Sequence, residues 1–306
     1  MSSPAATGHR HLSSKVAMTI SKTIGIKPIV LMAGDPWIPH QKPWGMTTRG
    51  KMLLAIDVGN THITVGLFRD KILKHTWRLN THRHYTSDEL GIHFLNLLAT
   101  KNLDASVLEG VCMASVVPSL DEPLKAMSRT YLRRTPLVVG PRTRLGIKNL
   151  YKNPEEVGAD RLVNAVAVHT LYKKPVIVVD FGTATTFDCV SAKGDYLGGA
   201  ICPGLELAGE WLATHTAKLP RVAFQSVPVH VIGKTTKESL QSGLLYGYIA
   251  LVEGLLQRLK EEMGGRPFIV MTGGLSTVIG PHIRSVTQIA PDLTLDGLRL
   301  IWKLNQ

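Results

Sequence analysis

The sequence predicts an α/β protein built from two similar halves that face each other across a cleft. Three observations lead there. Strand-like apolar runs alternate with helical periodicities along most of the 306 residues. An apolar strand ending in Asp-x-Gly and hydroxyl or amide residues occurs at Asp57 and again at Asp180. The composition, 44% hydrophobic and 19% charged, allows a sizeable core and excludes wholesale disorder.

The elements follow in order. Met52–Ile56 is a short apolar run leading into Asp57-Val58-Gly59-Asn60-Thr61. Ile63, Val65 and Leu67 then alternate with His62, Thr64 and Gly66, the period of a strand returning from a tight turn. Lys71–Leu79 supplies a third strand. Thr86-Ser87-Asp88-Glu89 has the spacing of a capping box, ahead of Leu90, Phe94, Leu97 and Leu98 on one helical face. Val111–Val117 reads as a strand stopped by Pro118, Leu120–Leu132 as a helix, Pro136–Val139 as a strand and Val157–Leu171 as a helix. Val176–Val179 opens the second copy, followed by Asp180-Phe181-Gly182-Thr183-Ala184-Thr185-Thr186 and a return through Phe187, Cys189 and Val190. Leu240–Glu262 is a long helix, and Phe268–Met271 a last core strand before Thr272-Gly273-Gly274-Leu275-Ser276.

Residues 1–51 differ from the rest. They mix Ser, Pro, Gly and His with scattered bases, and carry seven Lys or Arg against a single Asp. They contain no secretory pattern, although the scarcity of acids also suits a targeting segment. The simpler expectation is an extension outside the fold, with one half over residues 52–171 and the other over 172–306. Half of the net charge of +12 falls on this leader, so the body is only mildly basic, as is ordinary for a protein that handles phosphates. A nucleic-acid partner is not required, since the leader lacks a dense basic cluster with interleaved aromatics. No uncharged apolar run approaches the roughly 20 residues of a membrane span, which predicts no membrane association. Cys112, Cys189 and Cys202 have no paired spacing, so neither a disulfide scaffold nor a Cys-rich zinc site is expected. They read as buried packing residues in a cytoplasmic protein.

The repeated strand–Asp-x-Gly–strand turn carries the chemistry. Glycine lets the backbone approach an anion closely and adopt positive φ where required. Successive backbone N–H groups in such a turn can cradle phosphate oxygens, with Asn60, Thr61, Thr183 and Thr185 adding neutral donors. The leading aspartates suit a cation or its bound water, because hard cations take oxygen ligands. A single copy would read as a hairpin with a capping carboxylate; two copies and the Gly273-Gly274 turn point to a nucleotide cleft. No G-x-x-x-x-G-K-[ST] loop, G-x-G-x-x-G fingerprint, protein-kinase signature or G-x-S-x-G elbow is present. The histidines show no metal-binding spacing, and none is assigned to catalysis. Gly158-Ala159-Asp160-Arg161 opens a helix with an acid beside a base. Asp160 there can accept a hydroxyl proton during attack on a phosphoryl group. The four residues alone favour a simpler role, with Asp160 answering the helix dipole and Arg161 as its ion-pair partner.

Five blocks, in this order, closely resemble the type III pantothenate kinase family of the acetate and sugar kinase/Hsp70/actin superfamily. They are Asp57–Thr61, Tyr151–Arg161, Asp180–Thr186, Gly198–Gly204 and Thr272–Gly274. The resemblance spans about residues 52–296. It implies two RNase H-like, actin-like ATPase halves and ATP-dependent phosphorylation of pantothenate to 4'-phosphopantothenate, the first step of coenzyme A biosynthesis. It also implies a homodimer, Mg2+ or a similar divalent cation, and K+ or NH4+. Carried over residue by residue, Asp57, Val58, Gly59, Asn60, Thr61, His62, Ile63 and Thr64 form the first phosphate loop. Asp160 is the general base within the substrate segment Gly158, Ala159, Asp160 and Arg161. Tyr151 contacts pantothenate, Asp180 ligates the monovalent cation, and Thr183 touches ATP. Thr236 matches a substrate-binding threonine near the dimer interface, with Thr235 as the neighbouring alternative. The leader, His62 and Thr64 in the first loop, and Thr235 in place of a common asparagine depart from the family pattern. Two other readings share both hairpins: a different small-molecule kinase of the superfamily, and a non-enzymatic regulator that binds a ligand and a transcription partner.

Overall fold

Two five-stranded sheets with the same topology organise residues 51–306, the part of the chain that the structure, a computed structural model, describes. The expected leader, apart from Lys51, lies outside the described residues.

The first sheet contains β1 (Met52–Val58), β2 (His62–Arg69), β3 (Ile72–Asn80), β4 (Leu108–Ser115) and β5 (Leu137–Val138), in the order β3-β2-β1-β4-β5. The second contains β6 (Val176–Phe181), β7 (Ala184–Val190), β8 (Tyr196–Pro203), β9 (Phe268–Gly273) and β10 (Gln288–Ile289), in the order β8-β7-β6-β9-β10. In each, the first three strands form an antiparallel meander and the last two run parallel to its central strand. β1 and β6 are therefore equivalent central strands. Both are apolar and buried up to the residue before their aspartate, as strands covered on two faces should be.

The helices are α1 (Ser87–Ala99), α2 (Pro118–Thr130), α3 (Ala159–Tyr172), α4 (Leu205–His215), α5 (Thr236–Met263), α6 (Ser276–Ile279) and α7 (Leu293–Leu304). The capping box on α1 is formed: Thr86 Oγ1 accepts from the Glu89 N–H and Glu89 accepts from the Thr86 N–H. Pro118 does more than stop a strand. It stands at the first position of α2, where its missing N–H costs nothing. α3 begins at Ala159, not Val157, because Gly158 is its N-cap and Pro154–Glu156 forms a separate turn. α5 starts four residues earlier than its apolar pattern suggests, since Thr235 caps it through the Glu238 N–H.

Helices pack on both faces of both sheets. α1 and α2 cover the outer face of the first sheet with Leu90, Phe94, Leu120 and Leu124. α5 covers the outer face of the second with Leu245, Val252 and Leu256. α3 lies between the sheets, sending Val163 and Val166 to one and Ala165 and Val168 to the other. α7 joins it there, and its Leu295, Leu298 and Ile301 pack on Leu53, Ala55 and Phe68 of the first sheet. The last helix of the chain thus completes the core of the first sheet. Gly297 permits this, because a Cβ there would lie 2.4 Å from the Val163 carbonyl oxygen of α3. Cys112 and Cys189 are buried as expected, whereas Cys202 is only partly covered, since β8 is an edge strand. No described helix is long and apolar enough to cross a membrane.

Candidate active site

The central strands β1 and β6 end at the same place, and their aspartates open onto one cleft of about 590 Å³. Asp57 pairs laterally with Thr64 of β2, and Asp180 with Thr186 of β7, so the two halves present matching Asp–Thr pairs. The turns that follow meet each other: Thr61 Oγ1 and Thr183 Oγ1 share a hydrogen bond of 2.7 Å. Each turn is closed by its glycine. The Gly59 N–H donates to the His62 carbonyl at 2.9 Å, and the Gly182 N–H to the Ala184 carbonyl at 3.1 Å.

Neither turn glycine uses positive φ, contrary to one reason given for glycine here. What matters is space, since a Cβ on Gly59 would press on the His62 carbonyl oxygen at 3.1 Å and one on Gly182 on that of Ala184 at 3.3 Å. Positive φ is used instead at Gly273 (85°), where a Cβ would sit 2.5 Å from Asp180 Oδ1. Outer contacts hold both turns. Thr81 Oγ1 donates to the Gly59 carbonyl at 2.7 Å. Gly204, from the block beginning at Gly198, donates its N–H to the Thr183 carbonyl at 3.1 Å.

Asp160 enters from the first turn of α3 and lines the same cleft. Its Oδ1 accepts from the Arg161 N–H at 2.8 Å and lies 2.5 Å from where a Gly158 Cβ would be, so the glycine makes room for the carboxylate. Asp57 and Asp180 both feel the charge of Asp160. Burial, then the charges of Asp160 and Asp180, push the Asp57 carboxyl from 3.8 up to about 8, against a lowering by Arg78. Burial and the Asp160 charge push Asp180 up to about 7, although Asn164 Nδ2 donates to its Oδ2 at 2.9 Å. Burial also raises Asp160. Asn164 is itself held by Thr294 Oγ1 of α7 at 2.9 Å.

Such a donor set fits cations. The carboxylates are hard oxygen ligands whose mutual repulsion a bound positive charge would relieve. No group of three or more His, Cys, Asp or Glu side chains is assembled as a cage among the described residues. Ions of the Mg2+ kind are commonly held by one or two carboxylates together with substrate phosphates and water.

Of the residues singled out in the sequence, Asp57, Gly59, Asn60, Thr61, His62, Thr64, Asp160, Asp180 and Thr183 line the cleft. Val58 and Ile63 are core residues whose side chains face away from solvent. Gly158, Ala159 and Arg161 adjoin Asp160 without lining the cleft, and Tyr151 stands against Tyr196 with ring centroids 6.2 Å apart. Thr236 is exposed on the first turn of α5, outside the cleft. Arg161 is not the partner of Asp160. Its Nε donates to Asp188 Oδ1 at 2.7 Å, in a buried pair that Tyr196 and Thr186 complete. Its Nη2 is buried with no hydrogen-bond partner. Sequence reading missed Arg78, Glu206 and Asp292 in the cleft wall, Asn164 behind Asp180, and Asp188. Asp188 alone gave a signal, as a charged residue inside an otherwise buried strand.

A duplicated RNase H-like sheet with two glycine turns opposed across an acidic cleft places the chain in the actin-like ATPase class of nucleotide-cleft folds. A solved structure from Campylobacter jejuni, described as a Baf family transcriptional activator, shares the fold, with a TM-score of 0.52 at 19% identity over 82% of this chain and 98% of that one. Residues 53–258 match the family model described as type III pantothenate kinase. The chain is 48% identical to the type III pantothenate kinase of Moorella thermoacetica and 49% identical to that of an Anaeromyxobacter species, covering 83% of this chain and 100% of each relative. The chain belongs to the type III pantothenate kinase family.

The raised carboxyls set the pH dependence of stability. Unfolded, Asp57 titrates near 3.8; folded, near 8. Between these values the folded chain holds a proton that the unfolded chain has lost, so its stabilising contribution declines as pH rises. Asp180 acts in the same direction up to about 7. In nucleotide-free buffer with chelator, the decline in melting temperature from about pH 5 to about pH 8 should be less steep for Asp57→Asn than for the wild type. Equal slopes would remove Asp57 from this account.

Proposed function

We propose that the chain transfers the γ-phosphoryl group of ATP to the terminal hydroxyl of pantothenate, forming 4'-phosphopantothenate and ADP in the first step of coenzyme A biosynthesis. The observation that carries this is the placing of Asp160 in the cleft where both glycine turns meet. Family membership supplies the substrate. Together they favour catalysis over a regulator that only binds.

The backbone N–H groups of Asn60, Thr61 and Thr183 lie outside the strand ladders and are free to orient phosphate oxygens. Asp160 accepts the hydroxyl proton as the hydroxyl oxygen bonds to the γ-phosphorus. The bond from that phosphorus to the β,γ-bridging oxygen breaks, and its electron pair leaves on ADP. The raised carboxyl of Asp160 brings its proton affinity nearer to the working range of a general base. Asp57 and Asp180 are the residues that would hold the divalent and monovalent cations, which supply charge neutralisation for the phosphates when bound. Asn164 orients Asp180 for this. Arg161, held by Asp188 through Nε with its buried Nη2 unpartnered, and Tyr151 beside it are the side chains to meet pantothenate.

Two copies of the chain make the working unit. Large apolar side chains are exposed on the edge strand β8 (Leu197, Ile201), on α4 (Leu207, Trp211) and before α5 (Val229, Val231, Ile232). Edge strands with such residues invite a partner. Thr236 follows this segment and stands outside the cleft of its own chain, as a residue reaching a partner's substrate would.

Purified full-length protein should convert pantothenate with ATP, and faster with K+ or NH4+ than without. Asp160→Asn should lower kcat by about 100-fold or more with the fold intact, and Asp180→Asn should alter the monovalent-cation dependence. Undiminished turnover in Asp160→Asn would exclude it as the base; a wild type that ignores pantothenate would exclude the reaction. Sedimentation should report a two-chain mass, and a one-chain mass would remove the dimer from this reading.

A further inference from the structure

We propose that Arg78 grips the terminal phosphoryl oxygens of the bound nucleotide and is a further catalytic residue of the transfer. The inference rests on the kinase reading above and adds to it a contact made by the strand that neither glycine turn includes.

The sheet registers locate the residue. Asp57 of β1 stands opposite Thr64 of β2, and Thr64 opposite Arg78 of β3. Residues directly opposite in neighbouring strands share a face, so Asp57, Thr64 and Arg78 form one lateral row toward the cleft. The second sheet repeats the row as Asp180, Thr186 and Ile201. Duplication supplied the same aspartate and threonine twice, but the third place holds a guanidinium in one half and an exposed isoleucine in the other. The row is asymmetric where phosphoryl transfer is asymmetric, and the base Asp160 lines the same cleft as Asp57.

Charge gives the second argument. Five carboxylates line the cleft: Asp57, Asp160, Asp180, Glu206 and Asp292. Arg78 is the single Lys or Arg among the described lining residues. Surrounded by acids, it nonetheless forms no ion pair within 4.0 Å with a described residue. Its guanidinium reaches across the gap instead. Nη1 lies 3.6 Å from the position a Cβ would take on Gly274, in the turn after β9 of the opposite half. An unpaired guanidinium spanning the mouth between two phosphate turns has its planar set of donors free for an anion, and phosphate is the anion whose geometry it matches in two parallel hydrogen bonds. In the transfer Arg78 gives up no atom or proton. It offsets the negative charge that spreads over the phosphoryl oxygens as the bond to ADP breaks.

The test separates this contact from a general effect on folding or nucleotide affinity. Arg78 is exposed and makes no described ion pair, so Arg78→Ala should keep the wild-type far-ultraviolet spectrum; Arg78→Lys, which keeps the charge without the fork, provides a second variant. Lys74→Ala, on the same strand but outside the cleft, is the control. With pantothenate saturating, Arg78→Ala should lower kcat by about 100-fold or more, with Arg78→Lys between it and the wild type. Titration calorimetry should show Arg78→Ala losing at least about tenfold more affinity for the Mg2+ complex of a non-hydrolysable ATP analogue than for Mg2+–ADP, since the contact is to the terminal group. A kcat within about threefold of the wild type, or equal loss for both nucleotides, would overturn the proposal. Should the wild type bind nucleotides but leave pantothenate untouched, the assigned reaction fails, and the comparison of the two nucleotides decides Arg78 by itself.

Discussion

Three carboxylates forced to share one cleft set the terms for everything else at this site. Asp57, Asp160 and Asp180 come from three different elements; burial raises all three carboxyls, and the charge of Asp160 adds to the rise at Asp57 and Asp180. A folded chain tolerates such a cluster only if protons, cations or a positive side chain relieve it. Under the proposed reaction the nucleotide brings its cations with it, and the carboxylates give those cations a place to bind. Burial raises Asp160 as well, which under the proposed reaction makes it a better proton acceptor than a carboxylate in water.

The duplicated architecture explains how three elements converge. Central strands β1 and β6 deliver equivalent aspartates from the two sheets, and α3, packed between the sheets, delivers the third from its first turn. α7 closes the arrangement by packing on α3 and the first sheet while its Thr294 holds Asn164 behind Asp180. The halves are thus bound together by the two helices nearest the chemistry, and their differences matter more than their likeness. β3 carries Arg78 where β8 carries Ile201, so one wall of the cleft handles charge while the equivalent edge of the other presents an apolar surface.

Much of this was legible in the residues. Both hairpins, the capping box at Thr86 and the core strands β4 and β9 follow from local rules about period, caps and glycine. β8 was hidden because Gly198, Gly199 and Pro203 punctuate it like a loop, although an edge strand accepts all three. α7 was hidden by Gly297, which reads as a helix breaker and is in fact the point of closest approach to α3. Arg78 could not be placed because its meaning depends on strand register, and one residue of slip would send it to the opposite face. Arg161 was misread as the partner of its neighbour because Asp188, its actual partner, lies two strands later in the chain. Local chemistry is written locally; charge pairing and register are properties of the assembled sheets.

The most direct test of the central claim counts protons. Calorimetric titration of a Mg2+-bound, non-hydrolysable ATP analogue, repeated in buffers of different ionisation enthalpy near about pH 7, reports how many protons leave the protein on binding. If the clustered aspartates carry protons until cations arrive, binding must release them, and Asp57→Asn must release fewer. Binding without proton release, or with uptake, would mean that the three carboxylates do not share the cleft's charge as described.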